Sequence, residues 1–376
     1  MGQRDANRQD EASLAERLRE RIRRAGAISF RDWMQAALYD EHEGYYCRPD
    51  LTRWGRAGDY RTSPERSTLF AATFARYFAT LYAELCEPAV FQIIEAGAGA
   101  GHFAEGVLDT LRRWYPQVFA ATRYVFDEAS EDARQRTKLR LAPFAERVEF
   151  RRLREIETAS VEGIIFANEL LDAFPVHRVR MRDGKLFELY VRLDETGTFC
   201  WVDGEPSTPR LQEYFARLGI SLSEGQTAEV NLEAEDWIAR AASALKRGYL
   251  ITVDYGAEAA ELYQAPHRRQ GTLRAFHRHQ FADDPLARPG EHDLTTSVDW
   301  THIRRAGEDA GLHTISFERQ DEFLLRAGLL EQLERRVAEL HSEADALVLR
   351  SSARTLILPG GMSESFQVLV QKVIER

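Results

Sequence analysis

A chain of 376 residues is too long for one minimal domain and too short for three, so its length allows one enlarged domain or two. Hydrophobic residues make up 44% and only 12 are proline, which supplies a globular core and excludes disorder across the whole chain. A net charge of −10 argues against nucleic acid or an anionic membrane surface as a general partner and favours a cationic one.

Leu14, Leu18 and Ile22 recur every four residues between Ser13 and Gly26, the pattern of a capped amphipathic helix. Asp5, Asp10, Glu11, Glu16 and Glu20 interleave with the N-terminal arginines, whereas organelle presequences are poor in acids. A second helix is predicted over 30–39 with Ser29 as its N-cap, followed by a loop over 48–62 in which Gly58-Asp59-Tyr60 could form a lid. Ser63-Pro64-Glu65 then announces a third helix, carried by Leu69, Phe70, Phe74, Tyr77, Phe78, Leu81 and Tyr82. Residues 1–85 thus read as a helical cap with a lid loop, and 86–376 as the main domain.

From residue 90 short apolar runs alternate with helical periods, the mark of βαβ units and a parallel sheet. The runs fall at 91–94, 124–126, 161–167 and 249–253, with a helix at about 234–247 closed by Gly248. Alternating segments over 176–193 and 198–202, with turns at Asp183-Gly184 and Glu195-Thr196-Gly197, predict an antiparallel β insertion at about 176–232. Further strands are predicted at 294–298, 313–317 and 366–373, and one helix at about 329–349, whose apolar stripe can pack internally or form a homodimer.

Cys47, Cys86 and Cys200 are far apart and form no C-x-x-C, so neither a disulfide framework nor structural zinc is signalled. The histidines lack ligand spacing, and no metal is expected. A reducing, cytoplasmic location is expected, and no apolar run approaches the ~20 residues needed for membrane insertion. All but four of the 50 basic residues are arginine, which reads as codon bias rather than a binding surface.

The most informative stretch is the apolar run ending in Glu95, followed by Gly97, Gly99 and Gly101. Glycines there allow a tight turn and close approach of a ligand to the following helix N-terminus. A dinucleotide pyrophosphate sits poorly beside Glu95, whereas an ammonium and a sulfonium are attracted to it. Asp127-Glu128, at the end of the next run, offers a carboxylate to both hydroxyls of an adenosine ribose. Strand, E-x-G-x-G-x-G, helix, strand, acid is the pattern of a class I S-adenosylmethionine-dependent methyltransferase. The fold class is therefore α/β, a Rossmann-like class I sheet with a helical N-terminal cap and an antiparallel β insertion.

Asn168, Glu169 and Asp172 end the third run, where the carboxyl ends of parallel strands face the ligand crevice. Asp172 shares a face with Glu169 if the segment is helical, and two carboxylates there can hold a guanidinium. The bland alternative is that Asn168 caps a turn and Asp172 makes a surface pair. His177 is read as a solvated histidine, not a catalytic one.

Taken in order, several segments resemble the MidA-like methyltransferases: Gly44-Tyr45-Tyr46, Gly58-Asp59-Tyr60, Thr62 to Glu65, Glu95 to Gly101, Asn168 to Val176, Val253-Asp254-Tyr255-Gly256, Gly271 to Ala275, and Asp293-Leu294-Thr295. The resemblance runs from about residue 14 to the C-terminus, with departures at Glu41, Ala71, Ser297 and Ser363. It implies methyl transfer to an arginine of a protein, a respiratory complex I subunit in the mitochondrial members, with symmetric dimethylation as product. Carried over by position, it also implies that Gly97, Gly99, Gly101 and Glu128 hold S-adenosylmethionine and that Glu169 and Asp172 face the acceptor; Glu95 and Asp59 are further expected at the cofactor, and Asn168 beside the acceptor. Methylation of a small molecule on oxygen or nitrogen, and a non-enzymatic assembly factor that keeps the cofactor fold, are the alternatives.

Overall fold

The computed structural model describes residues 12–49, 51, 68–277, 280–358 and 365–373. The lid loop with Asp59, and the Ser63-Pro64-Glu65 cap, lie outside the described residues.

The chain divides into two compact units, one within Met1–Thr52, Ala173–Glu233 and Ala260–Thr296, the other within Arg53–Asp172, Ala234–Ala259 and Ser297–Arg376. The second unit is built on an open sheet. Its strands run, in spatial order, Val148–Phe150, Thr122–Asp127, Phe91–Ala96, Val161–Asn168, Leu245–Ala257, Phe366–Val373 and Leu312–Arg319. The first five pair in parallel, while Phe366–Val373 is antiparallel to both of its neighbours. Ile94, Val125, Ile165 and Leu250 are buried on one face, and Ile93, Tyr124, Phe166 and Ile251 on the other. Burial on both faces is why these strands read as continuous apolar runs. Helices Thr68–Glu84 and His102–Trp114 cover the second of these faces, where the Phe103 ring stacks on Phe166 with centroids 4.4 Å apart.

Gly163 and Gly248 are required by the sheet itself. They pair with each other, and Gly163 also pairs with Gln92. Their φ angles are 150° and 148°, and a Cβ on either would lie 2.0 Å from a neighbouring strand's carbonyl oxygen. Gly248 is therefore a strand residue. The helix expected to end there is Leu232–Ala244, and the strand begins at Leu245.

In the first unit the two-residue strand Ile28–Ser29 extends an antiparallel sheet through Lys185–Leu193, His177–Arg182 and Thr227–Val230, with Phe199–Gly204 also on Lys185–Leu193. Asp183 and Gly184 have φ of 53° and 69°, the left-handed pair that a two-residue hairpin turn needs. Helix Phe30–Tyr39 lays Phe30 against Trp201 and Trp33 against Phe199, at 4.9 and 6.3 Å between centroids. The expected division at residue 85 does not coincide with this boundary. Large aromatic side chains of the second helix find their core in the β insertion, while Thr68–Glu84 belongs to the other unit.

Two further expectations are corrected. The helix expected over 329–349 is two, Leu329–Glu339 and Glu343–Ile357, because the Ser342 hydroxyl accepts the Asp345 N–H and starts a new helix. The strand expected at 294–298 is two short ones, Asp293–Thr295 in a three-stranded sheet and Val298–Asp299 beside Leu245–Ala257.

Candidate active site

Ala96 is in register with both Asp127 and Ala167, and Asn168 with Val253, so the loops leaving the first three strands emerge together at one edge of the second unit's sheet, beside the strand that runs on to Ala257. Strand order reverses between Phe91–Ala96 and Val161–Asn168, the place where open α/β sheets bind ligands.

Gly97, Gly99 and Gly101 all have positive φ, at 70°, 54° and 76°. Gly97 donates its N–H to the Asp127 carbonyl at 3.0 Å. A Cβ on Gly97 would lie 2.9 Å from Leu170 Cδ1, and one on Gly101 would lie 2.9 Å from the Thr137 methyl, so a side chain at either is strained by conformation and displaces a neighbour. Gly101 is the N-cap of helix His102–Trp114 and offers no side chain to cap it. Glu128 is tied to this loop: Gly99 N–H donates to its Oε2 at 3.1 Å and Ser130 N–H to its Oε1 at 2.8 Å. Burial pushes its carboxyl above the usual range, opposed by those two amides. Asp127 is ion-paired with Arg152 at 2.6 Å, which leaves Glu128 as the acid joined to the glycine loop.

Glu95 is 4% exposed and accepts a hydrogen bond from the Tyr124 hydroxyl at 2.7 Å. Burial pushes it up to about 8, the Tyr124 bond opposing and the charge of Glu128 adding. Burial of this kind favours the neutral carboxyl, and a cation lying against it favours the charged one. This set of positive-φ glycines, an uncapped helix start and two acids fits a ligand with hydroxyls and positive charge.

The third element is the turn 168–172. Glu169 has φ 51°, a left-handed conformation costing on the order of 1 kcal/mol for a residue with a side chain, and its N–H donates to the Val253 carbonyl at 2.9 Å. Only Leu171–Ala173 forms a turn of 3₁₀ helix. The condition under which Glu169 and Asp172 would share a face, a continuous helix, is therefore not met. Asn168 Nδ2 donates to Glu169 Oε1 at 3.1 Å, and among the described residues no donor reaches its buried Oδ1. Asp172 is buried.

Two residues here carry no role in the sequence reading. Asp254 is 1% exposed: its Oδ2 accepts the N–H groups of Leu171 and Asp172 at 3.0 and 3.3 Å, and its Oδ1 that of Tyr255 at 2.8 Å. Burial, then the charge of Glu169, raises its carboxyl well above the usual range. Tyr124 is the other. An acid directly after the apolar run 249–253 was a signal for Asp254, but nothing local marks Tyr124 as the partner of Glu95.

A sheet of this order with a glycine loop and acids at its carboxyl edge defines a class I methyltransferase. The family of S-adenosyl-L-methionine-dependent methyltransferases matches residues 73–318, and the chain belongs to it, in the MidA-like group. The chain is 28% identical to the protein arginine methyltransferase NDUFAF7 homolog, mitochondrial, of Drosophila melanogaster, over 95% of this chain and 84% of that one. It is 24% identical to the human protein arginine methyltransferase NDUFAF7, mitochondrial, over 82% and 72%. Among solved structures it is similar to a Burkholderia thailandensis protein bound to S-adenosyl-homocysteine, with a TM-score of 0.83 and 30% identity over 95% of this chain and 91% of that one. The protein is thus an S-adenosylmethionine-dependent methyltransferase. The cytoplasmic location expected from the sequence is corrected by these names, since the relatives are mitochondrial proteins. Among the described residues no helix is long and apolar enough to cross a membrane.

Proposed function

We propose that the chain methylates an arginine guanidinium of a protein, with Glu169, Asp172 and Asn168 facing the acceptor. The observation that carries the reading is the acidic turn 168–172, which ends a strand adjacent to the one entering the glycine loop. A guanidinium is a cation well matched to carboxylates, through bidentate, charge-assisted hydrogen bonds. The buried Asn168 Oδ1, which lacks a donor among the described residues, adds an acceptor for a further N–H. The relatives named as protein arginine methyltransferases support a protein acceptor. A respiratory complex I subunit is the acceptor implied by the family resemblance.

Gly97, Gly99 and Gly101 would hold the cofactor with Glu128 on its ribose and Glu95 near its positive charge. When bound, S-adenosylmethionine supplies a methyl group already activated on a sulfonium. Glu169 and Asp172 then orient the guanidinium, and one of them takes the proton its nitrogen loses as the new N–C bond forms. Catalysis by these residues is orientation and electrostatics.

The test is mass spectrometry of proteins from cells with and without the intact gene. One arginine that loses dimethylation on deletion is the expected result. Radiolabelled methyl that ends only in low-mass products would overturn the protein acceptor.

A further inference from the structure

We infer that Asp254 is the positioning residue of the acceptor site, holding the turn that presents Glu169 and Asp172. The inference rests on the reading of those two acids as the acceptor-facing pair. Three amides of the turn are held by two successive residues of the neighbouring strand. The Val253 carbonyl accepts the Glu169 N–H at 2.9 Å, and one carboxylate oxygen of Asp254 accepts both the Leu171 and Asp172 N–H groups.

The strand has no need of an acid at this position. Asp254 follows the buried residues Ile251, Thr252 and Val253, and an unpaired carboxyl among them would be unfavourable. Its bonds go instead to backbone, two of the three on a turn 82 and 83 residues away in sequence. Leu171 opens the 3₁₀ turn, whose first amides have no partner within the turn, so Asp254 caps it from outside. Glu169, immediately upstream, keeps φ 51° against its intrinsic preference. Without the outside cap the segment is free to relax toward ordinary φ, and the Glu169 carboxylate then swings away from the direction in which the turn aims it.

The experiment is a double-variant cycle in the full-length protein, measuring tritiated methyl transfer from S-adenosylmethionine into proteins of an extract whose cells lack the gene. Asp254→Asn is expected to lower the initial rate by on the order of 10- to 100-fold. S-adenosylhomocysteine should bind it within about twofold of wild type by calorimetry, because the glycine loop is untouched. The double variant Asp254→Asn with Glu169→Gln should be no slower than Glu169→Gln alone, since the first acts through the second. A wild-type rate for Asp254→Asn, or losses that multiply, overturns the inference and leaves the reading of Glu169 standing. Full activity of Glu169→Gln sinks that reading and the inference with it. If Asp254→Asn does not bind S-adenosylhomocysteine, Asp254→Glu, which keeps a carboxylate, goes through the same cycle. Loss of binding by both variants overturns the inference, because Asp254 then serves the fold or the cofactor and not the acceptor turn.

Discussion

At the scale of single residues, Glu95 makes the chain sensitive to pH. Its carboxyl sits at about 8 in the folded chain, chiefly through burial, against about 4.3 for an unfolded glutamate. Between these values the folded chain binds a proton that the unfolded chain has released, so stability declines as pH rises through the window. The unliganded protein should therefore melt at lower temperature at pH 8 than at pH 6. In Glu95→Gln this part of the decline should vanish, a difference on the order of 1 kcal/mol per pH unit, read by calorimetric melting. Identical pH slopes for the two proteins would show that Glu95 is not a buried neutral acid. Gly101 sets a second expectation: alanine there meets both φ 76° and the Thr137 methyl. Gly101→Ala should cost about 1 kcal/mol or more and weaken S-adenosylhomocysteine binding, both visible in one thermal-shift titration.

At the scale of elements, what the amino acids encode locally is read well, and what depends on a neighbouring strand is not. The Asp183-Gly184 turn carries its own conformation in two residue types and could be placed from them alone. Gly248 looks the same as a helix-ending glycine until its partner is known. Its neighbour is the backbone of Gly163, so a side chain there collides with another strand's carbonyl. The contrast is testable. Gly184→Ala has φ 69° but open space around it and should cost only about 1 kcal/mol. Gly248→Ala forces two strands apart and should cost well over 3 kcal/mol or abolish soluble protein, measured by denaturant midpoints. Similar midpoints for the two variants would contradict the close strand approach.

At the scale of the whole molecule, the acids of the site, Glu95, Glu128, Glu169, Asp172 and Asp254, all lie within one unit. A saturating ligand that binds only the folded chain at 100 times its Kd stabilises it by about 2.7 kcal/mol. S-adenosylhomocysteine should accordingly raise the melting temperature, and NAD should leave it unchanged. A shift with NAD alone would contradict the cofactor.

The sequence by itself determined the strand and glycine order, the acids that follow two of the strands, and from these the methyl-transfer chemistry, because each depends on residues only a few positions apart. Tertiary structure decided the rest. The second helix shares a core with the β insertion because Phe30 and Trp33 pack on Trp201 and Phe199, more than 160 residues along the chain. Tyr124 reaches Glu95 from the adjacent strand, and Asp254 holds the Asn168 to Asp172 turn from the strand beside it. Those pairings follow from the register of parallel strands, which no local pattern of residue types encodes.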